Sequence, residues 1–133
     1  MSVIVTDMGF GPDDWTEGFE GETVVDLEPD ADLLPLRDRL SALEMVRIAF
    51  PSFADGRGFS LARRLRLAGY EGRLRAKGHV LADQYAMARR SGFDEVEIGE
   101  DLARRQPEDQ WRARANWREH DYQSRLRGPS AFN

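Results

Sequence analysis

Hydrophobic and polar residues alternate along short stretches of this chain, which is the pattern of β-strands that are buried on one face only. In the clearest case Arg73, Arg75 and Lys77 alternate with Leu74 and Ala76. Charged residues of opposite sign on neighbouring strands would pair across such a sheet. The pattern predicts strands at residues 23–28, 44–50, 72–78 and 94–98, and a short strand or extended lead-in at residues 3–7.

Apolar residues between these strands recur at three- and four-residue steps, which predicts helices with one buried face. The first such series consists of Leu33, Leu36, Leu40 and Leu43. Ser60 is a suitable N-cap for the second helix, and Gly78 or His79 opens the third. The predicted helical segments are residues 31–43, 60–68, 79–90, 100–105 and 107–119.

Strands and helices therefore alternate, which predicts right-handed β–α–β units in an α/β domain with a mostly parallel sheet of about five strands. A sheet with helices on both faces has strands that are apolar throughout. Because these strands are charged on one side, we expect the helices mainly on the other face. The architecture then resembles part of a (β/α)8 barrel, with a charged concave face that a second subunit would close in a homodimer. The alternative is a flavodoxin-like doubly wound sheet with the charges at its strand ends.

The chain has 133 residues, enough for one domain with its own core. We expect this domain at residues 1–118, with an acidic, glycine-rich loop at residues 8–22 and a C-terminal tail at residues 119–133. The absence of cysteine excludes a thiol nucleophile and fits a reducing compartment. No apolar run reaches the roughly 20 residues that cross a bilayer, and no signal peptide is recognised, so a cytoplasmic location without membrane contact is expected.

The net charge of −5 is unevenly distributed. Residues 1–60 carry 13 acidic and four basic side chains, whereas residues 61–133 carry 15 basic and 11 acidic ones. The distribution fits either solvated surfaces or a basic patch that attracts a small anion or an acidic partner. Nucleic acid is not expected as a partner, because the whole chain is acidic and its basic residues are not interleaved with aromatic ones.

The loop at residues 51–60 is the richest candidate for chemistry, because ligands of parallel sheets bind at the carboxyl ends of the strands. Gly56 and Gly58 let the backbone approach a ligand closely. Arg57, oriented by Asp55, is suited to grip two oxygens of a sulfite-, sulfate- or phosphate-like anion. The helix that starts at Ser60 favours the same charge. In the alternative interpretation, Asp55 and Arg57 only pair with each other in an ordered turn.

Lys77 and His79 form a second candidate site at the end of the next strand. As a catalytic base His79 would need a partner such as Asp83; otherwise it only caps a helix. No metal-ligand spacing or Ser–His–Asp arrangement is visible, and residues 56–62 lack the third glycine of a dinucleotide fingerprint and the lysine of a phosphate-binding loop. No metal or cofactor is therefore assigned. The arginines of the later helices are interpreted as a solvated exterior: Arg89, Arg90, Arg104, Arg105, Arg112 and Arg114.

Several strings in the middle of the chain resemble a bacterial family of unknown function. They are FADGRGFSLARRLR (residues 53–66), the glycine-bounded stretch at residues 69–78, VLADQ (residues 80–84) and SGFDEVEI (residues 91–98). Members of that family are commonly encoded beside assimilatory sulfite reductase and are often described as oxidoreductases involved in sulfite reduction. The resemblance covers roughly residues 46–98.

The resemblance implies an accessory role in assimilatory sulfite reduction, with sulfite reductase as the partner, but it supplies no catalytic residues. The position after Gly78 is usually acidic in the family pattern, so His79 departs from it, and a catalytic role for this histidine is in doubt. The chain lacks a cysteine, a haem motif and a dinucleotide fingerprint, so redox chemistry would have to come from a partner or a flavin. Whether the protein is itself an enzyme stays open. The alternative function is a small anion-binding, barrel-like enzyme that uses the loop at residues 55–60.

Overall fold

The computed structural model describes residues 2–118 of the chain. Its six strands are β1 (Ser2–Thr6), β2 (Gly9–Gly11), β3 (Val24–Leu27), β4 (Met45–Phe50), β5 (Arg73–Gly78) and β6 (Glu95–Gly99). Its α-helices are α1 (Arg57–Leu67), α2 (Tyr85–Ser91), α3 (Glu100–Arg105) and α4 (Glu108–Arg112). Two 3-10 helices span Leu34–Ala42 and Ala82–Gln84.

The strands form one sheet in the order β2-β1-β6-β5-β4-β3. Strands β3 to β6 are parallel and adjacent in chain order, whereas β1 runs antiparallel to both β6 and β2. The predicted α/β domain with a mostly parallel sheet is thereby confirmed. The sixth strand, β2, lies inside the segment predicted as a loop. Gly9 supplies the positive φ of 109° with which the chain leaves the turn before β2.

The sheet is open, so the resemblance to part of a barrel is not confirmed. The edges of the sheet are the short strands β2 and β3. The flavodoxin-like alternative does not fit the topology either. A doubly wound sheet reverses its strand order at a switch point, and the parallel strands β3 to β6 contain no such reversal.

The hydrophobic core lies on one face of the sheet, between the strands and the helices. The rings of Phe50 and Phe59 lie 4.9 Å apart, between the end of β4 and the first turns of α1. Gly58 is buried beside them. A Cβ atom at this position would come within 2.5 Å of the Phe50 ring, so only glycine fits. The strands contribute to this core, among others, Val5, Val46, Ile48, Leu74, Ala76, Val96 and Ile98. The helices contribute, among others, Leu61, Leu65, Tyr85, Ala88 and Trp111.

The opposite face of the sheet carries the charged residues, as their alternation predicts. We call it the polar face and define it by Asp26, Arg47, Arg73, Arg75, Lys77, Glu95 and Glu97. Arginines on β4 and β5 pair with carboxylates on the neighbouring strands; Arg75, for example, donates to Glu97 at 2.9 Å. The expectation that this face stays open for a second subunit is wrong in its premise, because residues 12–22 of the same chain cross it. The homodimer itself stays a prediction.

Several helix boundaries differ from the predictions for local reasons. α1 begins at Arg57 instead of Ser60, because the Asp55 carboxylate accepts the Arg57 backbone N–H at 3.1 Å and so serves the first turn. The leucine-rich segment forms a 3-10 helix instead of an α-helix. The last helix ends at Arg112 instead of residue 119. The predicted tail, residues 119–133, lies outside the described residues.

Within residues 2–118, no helix has both the length and the apolar composition that a membrane-spanning helix requires.

Candidate functional site

A crevice of about 350 Å³ opens at the carboxyl ends of the parallel strands. The segments that follow β4, β5 and β6 meet there, as they must in a parallel sheet. The crevice is lined by Phe53, His79, Leu81, Leu102, Arg105 and Gln106. Its lining therefore combines three apolar side chains with an imidazole, a guanidinium and an amide, and small-ligand sites also combine apolar surface with a few polar groups.

The turn at Gly78 brings the end of β5 against the end of β4. Gly78 has a φ of 120°, and a Cβ atom at this position would come within 2.6 Å of the Phe50 carbonyl oxygen. The next residue, His79, donates its backbone N–H to the same oxygen at 2.9 Å. The requirement for glycine at position 78 thus follows from both the positive φ and the close approach of the two backbones.

Two glutamine side chains tie the walls of the crevice together. The Gln84 amide donates to the Phe53 carbonyl at 2.9 Å, and its oxygen accepts the Leu81 N–H at 2.8 Å. The Gln106 side-chain oxygen accepts the Ala82 N–H at 2.7 Å. These contacts link all three loops, so the crevice is held in shape by hydrogen bonds as well as by apolar packing.

His79 lines the crevice, but the structure does not give it the partner that a catalytic base would need. Asp83 instead accepts from Arg114 at 2.6 Å. The prediction that His79 or Gly78 opens the third helix is wrong, because the 3-10 helix begins at Ala82 and the Gln84 side chain serves its start. His79 is exposed and lines the crevice, and the N-cap of the 3-10 helix is Leu81.

Asp55 and Arg57 are brought together by the first turn of α1. The Arg57 Nε and Nη2 atoms donate to the two Asp55 oxygens at 2.9 and 2.7 Å. Hydrogen bonds from the Arg57 side chain and backbone lower the pKa of Asp55 to about 2. The Arg57 side chain is nevertheless 60% exposed. The pair forms the ordered turn of the alternative interpretation, and an anion contact by Arg57 stays a prediction.

The remaining predicted site residues do not converge on one point. Gly56 is the N-cap of α1, while Gly58 is buried against Phe50 and therefore serves packing. Ser60 is exposed within the first turns of the helix. Lys77 is exposed on the polar face and is not among the side chains that line the crevice. Of the two secondary candidates, only His79 belongs to the crevice.

A second cluster of charged groups lies at the start of the β1–β2 turn. Asp7 accepts hydrogen bonds from the Tyr85 hydroxyl at 2.5 Å and from the Trp117 indole at 3.2 Å. Burial disfavours the ionised form of Asp7, but the hydrogen bonds from Tyr85, Arg89 and Trp117 outweigh it and lower its pKa. This cluster fastens the N-terminal hairpin to α2 and to the segment after α4. Its groups are paired with one another, so we interpret it as structural.

Of the six residues that line the crevice, sequence reasoning proposed only His79, and the five that it missed include Phe53, Arg105 and Gln106. Phe53 lies in the predicted loop and is 57% exposed. Its apolar side chain near Asp55 and Arg57 gives no sequence signal for a place in the crevice. Arg105 was predicted as part of a solvated exterior, and Gln106 was not considered. The available signal was the position of Arg105 and Gln106 in the chain. Both lie at the end of the short helix that follows β6, and hence near the carboxyl ends of the strands. No group of three or more His, Asp or Glu within residues 2–118 is placed to hold a metal ion.

The fold and the crevice define an α/β protein with an open, mostly parallel sheet and a small crevice at the carboxyl ends of its strands. The chain belongs to a family of bacterial proteins of unknown function, DUF934, whose model matches residues 24–132. A search among curated proteins and a search among solved structures each find no match.

Proposed function

We propose that this protein is an accessory factor in assimilatory sulfite reduction that acts together with sulfite reductase in the cytoplasm. One observation carries the proposal. The stretch that resembles proteins encoded beside sulfite reductase, residues 46–98, also builds half of the crevice. It covers β5 and most of β4 and β6 and supplies Phe53, His79 and Leu81, three of the six lining residues. The resemblance and the crevice therefore share the loops after β4 and β5.

In this proposal the crevice holds a small oxyanion such as sulfite, sulfate or phosphate. Arg105 donates to two of its oxygens, and His79 adds a further N–H donor. Leu81 and Leu102 keep the remaining wall apolar, which strengthens the electrostatic attraction by lowering the local dielectric. The protein would bind or deliver the anion, and the electrons for its reduction would come from the partner enzyme.

A copurification and growth experiment tests the accessory role. Sulfite reductase is expected to copurify with the tagged protein from cells grown on sulfate, and the protein alone is expected to reduce no sulfite. A strain that lacks the protein is expected to grow poorly on sulfate and normally on sulfide. Normal growth on both sulfur sources, or a pull-down without sulfite reductase, would remove the sulfur assignment.

The second candidate function is a small anion-binding, barrel-like enzyme that uses residues 55–60. The observation that favours it is the exposed guanidinium of Arg57, which Asp55 holds in one orientation by two hydrogen bonds. An orientated arginine beside a helix N-terminus suits an anion. The Asp55 carboxylate already neutralises much of this charge, so the crevice is the better anion site of the two.

Thermal shift with sulfite, sulfate and phosphate separates the two sites. At an anion concentration 100 times the dissociation constant, binding stabilises the protein by about 2.7 kcal/mol, which gives a rise in melting temperature of several degrees. We expect Arg105→Ala to abolish the rise and Arg57→Ala to preserve it. Arg104→Ala is the matched control, because this neighbouring arginine pairs with Asp101 and lies outside the crevice lining. Loss of the rise in Arg57→Ala alone would favour the second candidate, and no rise with any anion would count against both.

A further inference from the structure

Residues 12–22, which we call the strap, cross the whole polar face. The strap connects β2 at one edge of the sheet to β3 at the opposite edge. Among the described residues, its hydrogen bonds to the polar face all run through side chains, Asp13 and Asp14. Residues 12–22 therefore cover the face without forming a strand of the sheet.

Arg75 lies beneath the strap with its side chain 0% exposed. Its Nε donates to Glu95 at 2.5 Å and its Nη1 to Glu97 at 2.9 Å. These two carboxylates are themselves buried and hold the guanidinium in a single orientation. An arginine held in this way is preorganised to receive a carboxylate or another planar oxyanion on its remaining edge.

That remaining edge is occupied by the strap. Both Nη atoms of Arg75 donate to the two Asp13 oxygens, each at 3.1 Å. The adjacent Arg73 pairs in turn with Asp14. The Asp13 and Asp14 side chains are 34% and 69% exposed, so solvent and other molecules reach the carboxylates from outside. Arg75 is thus internal and Arg73 largely covered, with side chains 0% and 27% exposed, whereas the strap carboxylates that complete their pairing are reached from outside.

Aromatic residues of the strap also pack on arginines of the polar face. The Arg47 guanidinium carbon lies 3.5 Å from the centre of the Phe19 ring, and that of Arg73 lies 5.8 Å from the Trp15 ring. Such cation–π contacts add to the carboxylate pairs. The strap therefore contacts the arginines of the polar face through both carboxylates and aromatic rings, as an acidic peptide with aromatic residues would.

The strap also lies outside the part of the chain that the family model matches. The match begins at residue 24, the first residue of β3. The arginines and glutamates of the polar face lie within the matched residues, and Asp13, Asp14 and Phe19 lie before them. The polar face and its cover are thus distinct parts of the chain.

From these observations we propose that the polar face is a binding site for an acidic, aromatic-containing segment of a partner protein, and that the strap occupies this site within the same molecule. Two carboxylates of the partner take the positions of Asp13 and Asp14 on Arg75 and Arg73. An aromatic ring takes the position of Phe19 on Arg47. Binding of the partner therefore requires displacement of the strap. The polar face is separate from the crevice. The outcome of a peptide-binding test on this face therefore does not bear on the anion proposal.

The test uses the full chain and a fluorescein-labelled peptide with the sequence PDDWTEGFEGE, which is that of residues 12–22. Fluorescence anisotropy measures its binding to the wild type, to Asp13→Asn/Asp14→Asn and to the matched control Glu17→Gln/Glu20→Gln. The control removes the same charge from exposed residues of the strap. We expect the asparagine variant to bind the peptide at least about tenfold more tightly than the other two chains, because its strap has lost the charge-assisted hydrogen bonds that compete.

Equal affinity for all three chains would overturn the proposal. So would equally tight binding of a peptide in which both aspartates are asparagine. Displacement of the peptide by acetate at a similar concentration would show a site for any carboxylate and would overturn the assignment to a polypeptide. If circular dichroism shows that the double variant is unfolded, Asp14→Asn decides, since Asp13 still satisfies Arg75. A gain in affinity relative to Glu17→Gln supports the site, and no gain overturns it.

Discussion

Replacement of Arg75 by methionine is expected to lower the free energy of unfolding by about 3–5 kcal/mol. Arg75 is fully buried and bonds directly to Glu95 and Glu97, which are buried as well. Methionine fills most of the volume, but Glu95 and Glu97 then keep only Arg73 and Arg47 as cations. Asp13 loses both of its hydrogen bonds from Arg75. Removing one member of a buried ionic network costs more than the network contributes, because the remaining charges are then only partly compensated.

Urea denaturation followed by circular dichroism measures this loss. Arg63→Met is the matched control, because Arg63 is exposed on α1, and its expected effect lies within about 0.5 kcal/mol. A loss below about 1 kcal/mol in Arg75→Met would mean that water, or the remaining hydrogen bonds from Arg73 and Arg47, satisfies the glutamates. The triple variant Arg75→Met/Glu95→Gln/Glu97→Gln is expected to recover part of the stability. No recovery would assign the loss to packing instead of charge.

Gly78→Ala is expected to destabilise the protein by about 3 kcal/mol. The added methyl group strains the backbone at this φ and also collides with a backbone atom of β4. The φ of 120° is one that residues with a Cβ rarely adopt, and the Cβ would lie 2.6 Å from the Phe50 carbonyl oxygen. That oxygen also accepts the His79 N–H, so it has no freedom to retreat. The substitution therefore separates the ends of β4 and β5 or breaks their hydrogen bond.

Gly99→Ala is the matched control for Gly78→Ala. Gly99 ends β6 as Gly78 ends β5, but it has a φ of −77°, and no atom lies within 4 Å of a Cβ at that position. Its expected effect is therefore within about 0.5 kcal/mol. The difference between the two variants in the free energy of unfolding, from thermal and urea denaturation, measures the cost of a Cβ atom placed against the Phe50 carbonyl oxygen. Equal stabilities would contradict the geometry at Gly78.

Much of the fold followed from local pattern. The alternation of charged and apolar residues located β3 to β6 to within one or two residues, and the parallel arrangement followed from the helices between them. Glycines at positive φ follow two of the helices, Gly69 after α1 and Gly92 after α2. Missed were β2 and the antiparallel direction of β1. Three residues rich in glycine carry no strand signal of their own and become a strand only by pairing with β1.

The candidate site was predictable in position and less so in composition. Its place at the carboxyl ends of the strands follows from the βα connections, and His79 was among the candidates. Arg105 was not, because exposed helical arginines are alike in sequence and differ only in what packs beside them. Asp55 and Arg57 were expected as a pair, and they form one.

The sequence by itself determined which residues form β3 to β6, that one face of the sheet is charged, and that the loop after β4 joins Asp55 to Arg57. These features depend on residues close together in the chain. Only the tertiary structure decided what covers the charged face and which side chains line the crevice. Asp13 and Arg75 meet although they are 62 residues apart, and their contact exists because β2 and β3 lie at opposite edges of the sheet. That separation of the edges forces the acidic segment across the arginines, and neither segment contains a local signal for it.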